Sequence, residues 1–365
     1  MSTIDYASRR NRIRTSLQEV GVSALVVTTP SNVRYLSGFT GSNGAVIVGV
    51  DARHDRLTTD FRYYTQADAQ CPGLPVIPST STVLEASMLW CVETVDGLLG
   101  FESTHVTVRA LKELHNKVAP SLTVATHDLV EALRTEKDDA ERALIAQACA
   151  VSDAALAQLL PEIHVGLTER EIARRLSWLM VEHGADGDSF ESIVAGGEHS
   201  AIPHHTPTDR PLARGDFLKI DFGALVLGYH ADETRTFVVG ASPQSWQVEI
   251  FDVVAAAQRA GIAALGPGVQ ASSVDAAARS VIKDAGYGDY FGHGLGHGVG
   301  LDIHEVPFLG ATSTGILSVG TPVTVEPGIY LPGRGGVRIE DTLVVGPVEP
   351  VSLTTTTREL LVLGL

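Results

Sequence analysis

The sequence predicts an α+β chain of two domains: an α/β domain over residues 1–133, then a second domain over residues 134–365 built from duplicated halves. Three observations carry that expectation. At 365 residues the chain exceeds the usual size of one domain. Its first third alternates short apolar runs with amphipathic stretches. Its remainder repeats one pattern twice: two helical stretches, then strand-like runs. A hydrophobic fraction of 44% is ample for a large core.

In the first domain, Ala24 to Thr28, Ala45 to Val48, Leu57 to Thr59 and Leu98 to Glu102 read as buried strands. Arg12 to Glu19, Phe61 to Gln70 and Val108 to Lys117 read as helices. Such alternation implies a mostly parallel or mixed sheet. The texture changes near Val130. Lys137 to Leu160 is rich in Ala, Leu, Gln and Glu, a long helix pattern that ends at Pro161. Thr168 opens the next helix with Glu171 three residues later, the spacing of a capping box. That helix runs to about His183, and Gly184 is its natural stop. Strand-like runs follow at Ser192 to Ala195, Phe217 to Leu227 and Thr234 to Val239. The pattern then recurs, with helices at Gln244 to Leu265 and Ala271 to Ala285. Strands follow at Pro322 to Val325, Gly336 to Val345 and Glu359 to Leu363.

Composition excludes several classes. A formal net charge of −16 argues against nucleic acid or an anionic membrane as partner. No run approaches the ~18 apolar residues of a membrane span. Met1 to Arg14 is polar and charged, without the apolar region of a secretory signal. Cys71, Cys91 and Cys149 have no metal-like spacing and cannot all pair, which points to buried thiols in a reducing, cytoplasmic setting.

Five residues stand out as one metal site: Asp221, Asp232, His297, Glu326 and Glu340. Asp221 and Asp232 flank a segment in which Gly223 and Gly228 permit a tight reversal. A β-hairpin there would set the two carboxylates facing each other, roughly 5 Å apart at the β-carbon. Unpaired, they would repel, and a divalent cation between them removes the conflict. Asp232 taken alone also suits a solvent-facing turn. His293, His297 and His304 lie in a run with five glycines at alternating positions from Gly292 to Gly300, too many for a regular helix or strand. The run has no G-x-G-x-x-G register, and His304-Glu305 lacks the following His of a zincin. Glu326 precedes Pro327-Gly328, and Glu340 sits in an apolar strand-like run, costly unless it is paired or bound to metal. A salt bridge from Arg338 to Glu340 or Asp341 is the plainer account. Arg338 could also orient a ligand from behind. His204 and His205 occupy a turn-rich loop from which one could reach a substrate. His199 and His230 read as surface or supporting residues. His54, His105, His115 and His127 have no supporting context.

At these residues the chain resembles the pita-bread metallopeptidases, the family of aminopeptidase P, prolidase and methionine aminopeptidase, together with the metal-free creatinases. The motifs are D-F-G-A, H-A-D-E-T-R-T-F, G-H-G-V-G-L-D-I-H-E, V-E-P-G-I-Y and G-G-V-R-I-E-D. N-V-R-Y-L-S-G-F-T-G-S-N-G and T-D-F-R-Y resemble the creatinase-type N-terminal domain. The resemblance implies a creatinase-like domain over 1–133 and a catalytic domain over 134–365, with duplicated helix-helix-strand halves around a curved antiparallel sheet. It implies a homodimer. It also implies that Asp221 binds one metal, that Asp232 and Glu340 bridge two, and that His297 and Glu326 complete the ligands of the second metal. His204, His293 and His304 match the family's active-site histidines, which orient substrate and stabilise the tetrahedral intermediate. An activated water would attack, with Glu326 taking its proton. One imidazole among oxygen ligands favours Mn²⁺, with Co²⁺, Zn²⁺ or Fe²⁺ as alternatives.

The substrate class implied is a proline-containing peptide. Glu233, Lys219 and Thr321-Pro322 depart from the family pattern without removing a ligand. A dipeptide brings a free carboxylate into the site, and characterised prolidases resemble one another in placing an Arg between the H-E and E-P-G motifs. Glu305 to Val325 contains no Arg or Lys, and Phe308 suits an apolar wall. The expectation is therefore aminopeptidase P, with prolidase as the alternative unless a cation such as Arg334 reaches in. A non-catalytic peptide-binding relative is the more distant alternative.

Overall fold

The computed structural model describes residues 4–365, in two compact units divided between Arg134 and Thr135. The first unit holds a six-stranded sheet in the order Val76–Pro78, Arg56–Thr59, Gly44–Gly49, Ala24–Val27, Leu99–Glu102, Thr123–Thr126. The sheet is mixed. Gly44–Gly49 runs antiparallel to both its neighbours, and the other pairs are parallel. Ala24–Val27 is buried throughout, as a near-continuous apolar run should be when both faces are covered. Helix Val83–Thr94 packs on one face through Leu84, Met88 and Cys91.

Helix Pro30–Ser37 was not legible in the sequence. Proline occupies its first turn, and its N-cap, Thr29, makes no side-chain bond. Glu102 caps it instead, from the end of a strand. It accepts the N–H groups of Thr28 at 2.6 Å and Thr29 at 2.8 Å, and the Asn32 amide at 2.7 Å.

The second unit opens with helices Asp139–Leu159 and Glu169–Glu182, which pack together. The Thr168–Glu171 capping box is present in both directions. Helix Asp139–Leu159 with its following turn to Glu162 is long and apolar enough on average to cross a membrane by composition, although no uninterrupted apolar run of that length occurs in it. Half of that stretch is buried inside the unit, as in a core helix. A sheet follows in the order Val362–Leu363, Glu233–Val239, Phe217–Phe222, Ile193–Gly196. The second helix pair, Ser245–Ala264 and Ala271–Asp284, precedes a sheet in the order Glu305–Leu309, Gly296–Gly298, Pro322–Val325, Asp341–Val344, Val351–Ser352. An isolated antiparallel bridge, Thr234 to Glu340, joins the two sheets. The duplicated halves around antiparallel sheet are thus present.

Three expectations about strands are corrected. Phe217 to Leu227 is not continuous: it breaks after Phe222, where a Cβ on Gly223 would lie 1.9 Å from the Ala231 carbonyl. The glycine-rich run does form a strand at Gly296–Gly298. It is sandwiched so closely that a Cβ at Gly296 would meet the Thr324 carbonyl at 2.0 Å. Gly336 to Val345 is two strands. Gly335–Arg338 pairs with Gly328–Leu331, and Asp341–Val344 pairs with Pro322–Val325.

Candidate metal centre

That last break builds the centre. Val325 pairs with Asp341, and Gly328 pairs with Arg338. Continuing the register across the interruption sets Glu326 against Glu340. Like charges directly opposed on neighbouring strands destabilise a sheet unless something neutralises them. The other half supplies the remaining acids. Asp221 lies on Phe217–Phe222 opposite Thr234, so it does not face Asp232, as a simple hairpin would have it. Asp232 sits one residue before Glu233–Val239. Thr234, between them, donates its hydroxyl to Glu340 Oε2 at 2.7 Å.

The five candidates converge. Ligand atoms of Asp232, His297 and Glu340 all lie within 4.8 Å of one another. His297 Nε2 is 3.4 Å from Asp232 and 3.5 Å from Glu326. The His297 Nδ1–H donates to the Gly298 carbonyl at 3.0 Å, which leaves Nε2 as the ligand nitrogen of the neutral ring. All five line one cleft with His204, His205, His304, Phe190, Ile193 and Ile303. The apolar wall therefore comes from Phe190, Ile193 and Ile303. Phe308 is half exposed and is not part of that lining.

The electrostatics are those of a site missing positive charge. Burial, with Asp221 adding to it, lifts Asp232 to about 6. Burial lifts Glu326 to about 7. Burial and three neighbouring carboxylates hold Glu340 well above its ordinary value. Burial alone would depress His297, but Asp232 and Glu326 outweigh it and raise the ring to about 9. Asp221 Oδ1 is buried with no hydrogen-bond partner among the described residues. An orphaned carboxylate oxygen among four mutually repelling acids and one imidazole fits divalent cations.

Behind the ligands stands Arg338. It meets Asp221 rather than Glu340 or Asp341, and its Nη1 donates to the Tyr330 hydroxyl at 2.7 Å. Asp341 instead pairs with Arg235 at 2.8 Å and Arg358 at 2.6 Å. His293 Nε2 bonds the Tyr330 hydroxyl at 2.8 Å, and its Nδ1–H donates to the Gly294 carbonyl at 2.7 Å. His293 is thus tied through Tyr330 and Arg338 to Asp221, and it does not line the cleft. Burial, then Arg338, depresses His293 to about 4, so it is neutral near pH 7. His304 is also depressed, by burial first. Arg334 stacks on Trp246 at 4.2 Å and does not reach the cleft. Of the departures, Glu233 is fully buried 3.2 Å from Arg235, and burial pushes it up to about 8. Lys219 is buried and donates to the Ile202 carbonyl at 2.7 Å.

Sequence reasoning missed Tyr330, Thr234 and Glu169. Glu169 is buried at the start of its helix and touches both His199 and His205 at 2.8 Å. Only its place in the first turn was visible in the sequence. What it reaches across space was not.

An acid-rich, histidine-completed centre on a duplicated antiparallel framework defines a metal-dependent hydrolase. The chain belongs to metallopeptidase family M24, whose model matches residues 143–347, and carries a creatinase/prolidase N-terminal domain over residues 9–135. It is 40% identical to an Xaa-Pro dipeptidase of Pyrococcus horikoshii over 93% of this chain and 95% of that one. Its structure resembles an Xaa-Pro dipeptidase from Bacillus anthracis, with TM-score 0.94 and 35% identity over 98% and 100% of the two chains. It also resembles an X-Pro aminopeptidase from Thermotoga maritima, with TM-score 0.89 and 32% identity over 97% and 99%.

Proposed function

We propose that the chain is an Xaa-Pro dipeptidase of the prolidase type. The observation that carries this is full-length similarity to proteins of that name, combined with a cleft floored by Asp221, Asp232, His297, Glu326 and Glu340. These five residues would hold divalent cations, two of them on the family pattern, with Asp232 and Glu340 shared between them. Mn²⁺ is the first choice on a donor set of oxygens and one imidazole. Divalent cations bound there would supply a Lewis acid for the scissile carbonyl and a lowered pKa for water. Glu326, on the floor of the cleft, is placed to accept the proton of the attacking water and return it to the proline nitrogen as the C–N bond breaks. His304, neutral and lining the cleft, donates to the carbonyl oxygen, and His204 orients the peptide. Arg338 fixes Asp221, and His293 steadies Arg338 through Tyr330. The setting is the cytoplasm, which three free, buried cysteines support. The active form is a homodimer, on family resemblance, and light scattering tests that.

One observation favours the aminopeptidase P reading that the sequence alone suggests. No Arg or Lys lines the cleft among the described residues, so no obvious cation awaits a dipeptide carboxylate. The deciding assay compares an Xaa-Pro dipeptide with an Xaa-Pro-Xaa tripeptide in Mn²⁺. Faster dipeptide turnover is expected. A clear tripeptide preference assigns the chain to the aminopeptidase class instead.

A further inference from the structure

A dipeptide substrate poses a problem of charge. Its C-terminal carboxylate enters a cleft whose floor carries four acids and whose lining holds no Arg or Lys. The lining wall opposite those acids in composition is the segment His204, His205, Thr206 and Pro207. Among these, His205 has a specific support. Its Nε2–H points at Oε2 of Glu169, 2.8 Å away.

Glu169 is fully buried. Burial opposes its charge, but the Gly196 N–H, His205 and the Thr208 hydroxyl and N–H outweigh that and bring the carboxyl down to about 2. It is therefore an anion throughout the working range. The groups that ion-pair with it are two imidazoles, His205 and His199, whose rings lie 4.4 Å apart. Five donors already occupy its two oxygens: Gly196 N, His199 Nδ1, His205 Nε2, and the N and Oγ1 of Thr208. That saturation leaves little room for a cation on Glu169 and suits a carboxylate that orients a ring.

The segment is also rigid. Ahead of His204, Lys219 Nζ donates to the Ile202 carbonyl at 2.7 Å, and Arg338 Nη1 donates to the Pro203 carbonyl at 3.3 Å. Beyond His205, Thr208 is anchored on Glu169. His205 is thus held from both sides and from behind. No hydrogen bond from the described residues occupies its Nδ1, while the ring lines the cleft.

We propose that His205, backed by Glu169, receives the free C-terminal carboxylate of the substrate, as the cleft's replacement for an arginine. This rests on the dipeptidase reading. With the substrate bound, a ring hydrogen-bonded at both nitrogens spans two carboxylates, Glu169 behind it and the substrate's in front. His205 acts in binding and specificity and takes no part in bond cleavage.

The test is steady-state kinetics on alanyl-proline and on alanyl-prolinamide, which lacks the carboxylate, in Mn²⁺, for the wild type and His205→Ala. The expected result is a rise of about tenfold or more in KM for the acid, the scale of one charge-assisted hydrogen bond. For the acid, kcat should hold, and both constants for the amide should stay within about twofold. Free proline should weaken as an inhibitor by the same factor, and prolinamide should not. Equal losses on acid and amide, or no loss on either, overturn the proposal. His205→Asn is the second variant should His205→Ala fold poorly, with amide turnover reporting an intact centre. The dipeptidase reading fails by a different result: a wild-type preference for the tripeptide over the dipeptide. The acid-to-amide ratio of the variants decides the role of His205 in either event.

Discussion

Two clusters in the second unit look alike by inventory and behave as opposites. Asp232, His297 and Glu340 bring ligand atoms within 4.8 Å of one another, and so do Glu169, His199 and His205. In the first cluster the acids outnumber their donors. Beside it, Asp221 Oδ1 has no hydrogen-bond partner among the described residues, and burial drives Asp232 and Glu340 upward. In the second, one carboxylate takes five donors and is driven down to about 2. Residue type and proximity do not make a metal site. Unsatisfied negative charge does, because only a cation relieves it.

The most severe way to break this contrast is to remove Asp232, the acid proposed to bridge the metals. Asp232→Ala is expected to lose both metal ions and at least about 10⁴-fold in kcat/KM, since an enzyme without its metal loses both its Lewis acid and its activated water. Metal analysis beside kinetics checks it. Full metal content in that variant would show that Asp232 is not a bridge.

Next in size is His293→Ala. The chain from His293 through Tyr330 and Arg338 to Asp221 makes it a positioning residue. Activity should fall about 10–100-fold, as for other groups that orient a ligand from behind, with metal stoichiometry retained at saturating Mn²⁺. Loss of metal at saturation would move His293 into the ligand set.

Glu169→Gln sharpens the other arm of the comparison. Stoichiometry at the five-residue centre should be unchanged, while urea melts at pH 7 show a loss of roughly 2–4 kcal/mol from a broken buried network. The sign follows from its depressed value. The contribution is present above the ordinary carboxylate range and is lost as pH falls toward about 2. The variant should therefore lie close to the wild type at pH 2 and well below it at pH 7. Equal melts at pH 7 would refute the hub assignment.

The subtlest effect is the pH slope of the chelated protein. Asp232 near 6 and Glu326 near 7 are raised carboxyls, so the folded state holds protons that the unfolded state has released. His297 near 9 contributes stability below its ordinary value that is lost as pH climbs through 9. All three push the same way. With EDTA, Tm should fall by a few degrees from about pH 4 to 9. Mn²⁺ should flatten that fall and release protons on binding at pH 7. A Tm that rises with pH in EDTA would contradict the raised values.

Much of this was legible along the chain. The Thr168–Glu171 capping box, the stop at Gly184 and the two helix pairs follow local rules of capping and periodicity. The five ligand candidates were visible because acids and an imidazole in apolar or glycine-rich contexts need a reason to be there. Less legible were elements whose stability comes from elsewhere. Helix Pro30–Ser37 depends on Glu102, about seventy residues away. Strand Gly296–Gly298 looked unlike a strand because its glycines answer to the carbonyls of Thr324 and Val306. Phe308 suggested a wall that Phe190, Ile193 and Ile303 actually form.

The sequence by itself determined the reaction class, since donor types and their local contexts are properties of short segments. Tertiary structure alone decided which carboxylates were left in need of a cation. Glu326 and Glu340 oppose each other because one long hairpin keeps its register across the break between Val325–Asp341 and Gly328–Arg338. Glu169 and His205, thirty-six residues apart in the chain, meet only because a helix start and a loop are folded together. Electrostatic need depends on burial and on neighbours in space, and neither is written in the order of residues.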